Sequence, residues 1–136
     1  MLKDAKQYVM ISMWDQMYEL LLPELKECCE RGCEVMGVGH NIQDPIADVE
    51  MHHDGKYHDM EENLHWFIIS ADGGKLLYGY SAETDRDAFY TEDASHIYLL
   101  EDCIMHDMVV NRFILDKENE QKLTSMMKEI LEKIRK

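Results

Sequence analysis

A strand, a helix, a glycine and a second strand follow one another at the start of this chain, and that order limits its folds more than any other feature. The run YVMISMW at Tyr8–Trp14 is short, apolar and β-prone, as a buried strand should be. Asp15 follows as a candidate helix N-cap, and residues 16–31 carry an apolar stripe at Leu20, Leu21 and Leu25 that closes near Arg31 and Gly32. Pro23 inside that span predicts a restart of the helix after a short first turn, because proline suits a first turn better than an interior. The run CEVMGVG at 33–39 then supplies a second strand. Such a βαβ unit implies parallel neighbours joined by a crossover, and hence an α/β fold.

The later segments extend this pattern. Residues 40–63 are polar and irregular, with a short strand expected at 49–53. The stretch LHWFIISA at 64–71 predicts a strand that turns at Asp72-Gly73-Gly74 and returns antiparallel over Lys75–Tyr80. A further short strand is expected at 88–91. Asp93 or Ser95 caps a helix running to about Asn111, with Ile97, Leu100, Ile104 and Met108 at helical spacing. Asp116 caps a final helix whose stripe is Leu123, Met126, Met127, Ile130, Leu131 and Ile134. The expectation is one domain over residues 1–136, a mixed α/β sheet flanked by helices and ending on a C-terminal helix.

Composition removes several function classes. Hydrophobic residues are 46% and charged residues 31%, which excludes a disordered chain, and no apolar run is long enough to cross a bilayer. Fourteen basic residues against 28 acidic ones, a formal charge of −14, leave no basic stripe for nucleic acid. Four cysteines without a secretion signal fit a reduced, cytoplasmic setting. Cys28, Cys29 and Cys33 lack paired C-x-x-C spacing, and His52, His53 and His58 read as a solvated loop, so no metal site is expected. The acidic stretch 83–93 lacks a calcium-loop pattern, and no Walker loop, G-x-G-x-x-G or Ser-His-Asp order is present. No cofactor is expected.

His65-Trp66-Phe67, Asp72 and Gly79 stand at spacings that resemble the phospholipase D superfamily pattern of His-x-Lys, four residues, Asp, six residues and Gly-Ser. That chemistry needs a histidine nucleophile and a lysine that balances phosphoryl charge. Here Phe67 takes the lysine position, Tyr80 the serine position and Ala82 the asparagine position, so the spacing survives without the catalytic groups. Together with the leading strand and the Lys-Glu-x-x-x-Arg-Gly helix end, residues 5–112 resemble the phospholipase-D-like effector domain of TrmB-family transcriptional regulators. The resemblance implies a phospholipase-D-like sheet and a non-catalytic domain for effector sensing and dimerisation. The winged helix that precedes such a domain has no counterpart here, so no DNA-binding domain is expected within these residues. A divergent phospholipase-D-like phosphodiesterase is the alternative.

Two expectations complete the picture. The six apolar residues of the last helix exceed what one seam of a small domain needs, which points to a homodimer. Ligands of open α/β sheets sit beyond the carboxyl ends of the parallel strands, where these strands deliver Trp14, Asp15 and His40. In the phospholipase-D-like register His65 and Phe67 face the same cleft and Tyr80 its rim. Aromatic surfaces with a few polar groups suit a small polar effector with one apolar face, a carbohydrate first among them.

Overall fold

The computed structural model describes residues 1–53, 60–61, 64–80 and 88–135. β1 (Tyr8–Trp14) lies inside a six-stranded sheet together with β2 (Glu34–His40), β3 (Asp48–Met51), β4 (Trp66–Ala71), β5 (Lys75–Tyr80) and β6 (Phe89–Thr91). The order is β3-β2-β1-β4-β5-β6, and the sheet does not close into a barrel. β1, β2 and β3 run parallel, while β4, β5 and β6 add antiparallel steps. This is a mixed α/β architecture with three α-helices among the described residues: α1 (Asp15–Glu30), α2 (Ala94–Phe113) and α3 (Lys117–Ile134).

Alternation along β1 divides the interior. Val9, Ile11 and Met13 face the larger core, where Tyr18, Leu25 and Cys28 of α1 meet Val35, Val49, Phe67 and Ile69. Met10 and Val38 face the other way, onto Ile104 and Met108 of α2. β1 and β2 approach closely at Gly37, which pairs with Ile11 and has φ +142°. A Cβ there would lie 1.8 Å from the Ile11 carbonyl oxygen.

Several boundaries differ from the sequence expectation. α1 begins at Asp15 with Trp14 as its N-cap, and it passes through Pro23 without restarting. Pro23 costs one backbone donor, but packing of Tyr18, Leu25 and Cys28 against the sheet outweighs that loss. Asp15, freed from capping, accepts a hydrogen bond from Asn41 Nδ2 at 3.0 Å. Asp93 rather than Ser95 caps α2, accepting from the His96 N–H at 3.0 Å, and Asp116 caps α3 through the Asn119 N–H at 2.7 Å. α3 buries none of its residues.

The hairpin aspartate has a structural role. Asp72 sits at φ 55°, and its carboxylate accepts from the backbone N–H groups of Lys6, Gln7 and Tyr8 at 2.9, 2.7 and 3.0 Å. Burial pushes its carboxyl up, but these three donors outweigh burial and hold it below the ordinary range. Asp72→Ala is expected to lose about 2 kcal/mol, since charge-assisted bonds disappear and nothing replaces them. A urea midpoint unchanged by the substitution would refute this clamp.

Candidate functional site

Trp14 and His40 end adjacent parallel strands and are direct partners in the register. His52 follows β3, its N–H bonded to the Gly39 carbonyl at 2.9 Å, and His65 precedes β4. The carboxyl edge of the parallel strands therefore collects four rings. His65 stacks on Trp14 with centroids 3.7 Å apart and planes within 5°. Trp14 stacks on His40 at 4.7 Å, and His40 on His52 at 4.1 Å. Trp66 meets Trp14 and His40 edge-on, and its indole N–H donates to Ser12 Oγ at 3.1 Å.

Burial sets the electrostatics of this group. His40 has no exposed surface, and burial, reinforced by His52 and His65, pushes its imidazole down to about 3. It is a neutral ring at physiological pH. His65 is 7% exposed, with Nδ1 3.2 Å from Gln16 Oε1 and Nε2 3.4 Å from the Met60 carbonyl, so either tautomer has an acceptor to meet. The Trp14 indole N–H is buried and finds no acceptor among the described residues. An unsatisfied buried donor costs about 1–3 kcal/mol, which a ligand oxygen would recover.

Of the residues expected at the site, Trp14, Asp15, His40 and His65 come together. Phe67 does not. Alternation turns it to the opposite sheet face, where it belongs to the α1-side core at 6% exposure. Tyr80 lies opposite Trp66 in the β4–β5 register and is 43% exposed, a rim position. His52 and Trp66 join the stack without having been expected there. Trp66 shares the alternation of Ile68 and Ser70, a signal readable from the strand. His52 and His53 are half-buried rather than solvated, because β3 brings them against β2 and α2. His53 N–H donates to Asn111 Oδ1 at 3.0 Å. His58, Ala82 and residues 83–87 lie outside the described residues.

No group of three or more metal-ligating side chains is poised for an ion among the described residues. Stacked imidazoles turn their faces, not their nitrogens, toward one another. Cys28 and Cys33 are buried core thiols, Cys29 is half-buried and Cys103 exposed. No helix among the described residues is long and apolar enough to cross a membrane. The group offers chemistry of recognition: aromatic faces, an indole donor without an acceptor among the described residues, a histidine with a selectable tautomer, and the Asp15 carboxylate beside Trp14. The chain matches no family model and no curated protein.

Proposed function

We propose that this chain is a non-catalytic domain that senses a small polar effector and dimerises, with the phospholipase-D-like architecture of TrmB-family regulatory domains. The observation that carries the sensing role is the buried Trp14 N–H, which finds no acceptor among the described residues and sits in a ring stack at the carboxyl edge of parallel strands. A hydroxyl oxygen of the effector accepts from that indole. Its apolar face lies against Trp66 and His52, the half-buried rings of the group, while His65 and Asp15 bond its other hydroxyls. A carbohydrate has this combination of faces and edges.

Phe67 supports the non-catalytic side of this reading against a phospholipase-D-like phosphodiesterase. In the core it supplies no charge to a phosphoryl group, and losing one such preorganised donor costs about 10²–10³ in rate. The acidic surface keeps duplex DNA away from this domain.

The test is a binding screen of glucose, maltose and nucleosides by thermal shift, repeated on Trp14→Phe and His65→Gln. Trp14→Phe keeps an aromatic face and removes the donor together with part of the ring. The expected result is about tenfold weaker binding in each variant, the worth of one hydrogen bond. A ligand whose affinity ignores both substitutions would place the site elsewhere. Turnover of a generic phosphodiester that vanishes in His65→Ala would establish the hydrolase instead.

A further inference from the structure

On the α2 side of the sheet a cleft of about 550 Å³ stays open beside the helix. Tyr8, Met10 and Met36 form its floor, and Tyr98, Met105 and Val109 form its helical wall. Tyr98, Met105 and Val109 stand at i, i+7 and i+11, one stripe of α2 that Ile104 and Met108 leave outside the core. The same chain carries a second apolar stripe that is only partly covered, with Met126, Ile130 and Ile134 exposed and Leu123, Met127 and Leu131 half-buried. Leu123, Met126, Met127, Ile130, Leu131 and Ile134 fall on one face of α3, and none is buried. Helices of this kind draw their stability from the surface they cover.

We propose that α3 of one copy lies in the α2 cleft of a second copy, and that the exchange is reciprocal across a two-fold axis. The proposal deepens the dimerisation part of the function above and is independent of the effector. Dimensions agree: at 1.5 Å per residue, Leu123 to Ile134 and Tyr98 to Val109 each span about 17 Å. Charge agrees as well. Eight basic residues face 24 acidic ones before Lys117, whereas six basic residues face four acidic ones from Lys117 onward. Two acidic bodies repel each other, and α3, itself neutral with four basic and four acidic residues, runs into Arg135 and Lys136, so that residues 117–136 are the segment of opposite sign that each can offer. Glu101, Asp102 and Arg112 border the cleft; Arg112 is paired with Glu50, which leaves the two carboxylates to face the basic end of α3. The contact is isologous, so it closes at two copies.

Two double variants of the full chain test the exchange, both altering exposed residues so that the fold is retained, as circular dichroism will verify. One carries Met105→Glu with Val109→Glu in the cleft, and the other Met126→Glu with Ile130→Glu on α3. Sedimentation at tens of micromolar should show a wild-type dimer and two monomeric variants, each dissociating about 100-fold more readily. An equimolar mixture of the two should dimerise more tightly than either alone, because the intact α3 of the first meets the intact cleft of the second. A cleft variant that stays dimeric would mean that α3 pairs with α3, and an α3 variant that stays dimeric would remove α3 from the interface. Either result overturns the exchange, as does a mixture no tighter than its components. A monomeric wild type would overturn dimerisation itself.

Discussion

Gly37→Ala is expected to prevent the chain from accumulating as a folded protein. The added Cβ would lie 1.8 Å from the Ile11 carbonyl oxygen and 2.8 Å from its carbon, well inside van der Waals contact. The obstructing atoms belong to the backbone of β1, which is paired on both edges and cannot move aside. The φ of +142° adds strain of its own for any residue with a side chain. A loss of more than about 4 kcal/mol follows, comparable with the whole stability of a domain this size. Gly32→Ala provides the contrast. Its φ is +89°, but a Cβ there meets nothing within 4 Å, so the cost is about 1 kcal/mol of strain alone. If soluble Gly37→Ala protein melted within a few degrees of wild type, the close approach of β1 and β2 would be wrong.

Acidification should begin to destabilise the protein as the pH falls below about 6.5, ahead of its carboxylates, and His40 is the reason. In the unfolded chain its imidazole titrates near 6.5, whereas in the folded chain burial, with His52 and His65 nearby, holds it at about 3. Between those values the unfolded state binds a proton that the folded state refuses. Stability is therefore complete above about pH 6.5 and falls by up to about 1.4 kcal/mol per unit as the pH drops toward 3. At pH 4.5 the deficit is about 2–3 kcal/mol on this arithmetic. Asp72 adds its own loss at lower pH, because its depressed carboxyl stabilises the fold only while ionised. Urea midpoints of wild type and His40→Phe, measured from pH 7.5 to 4.5 at fixed ionic strength, separate the two contributions. Wild type should lose about 2 kcal/mol more than the variant over that range; parallel curves would exonerate His40.

The parallel pair β1 and β2 was legible in the sequence to within one residue, because a buried strand reads as a continuous apolar run. Topology put Trp14, Asp15 and His40 at the carboxyl ends of the parallel strands, and the ring contacts of Trp14 with His40 and His65 lie at that edge. Phe67 failed for a reason internal to the strand. Positions 65 and 67 alternate onto one face only where both are in regular β conformation, and β4 begins at Trp66, leaving His65 free to turn toward Trp14. His52 was invisible because its place depends on a short polar strand whose four residues carry one buried side chain, Val49. Pro23 misled in the opposite direction: a local rule predicted a break, and tertiary packing of α1 overrode it.

The ring stack also makes the protein its own optical probe. The chain has two tryptophans, and both are in the stack, 5.9 Å apart and nearly perpendicular. Every photon of indole emission thus originates at the carboxyl edge of the parallel strands, with Trp14 lying flat between the rings of His40 and His65 as its immediate quenchers or insulators. Excitation that avoids tyrosine will report occupancy of that edge, and protonation of its histidines, with no label attached and no background from the rest of the molecule.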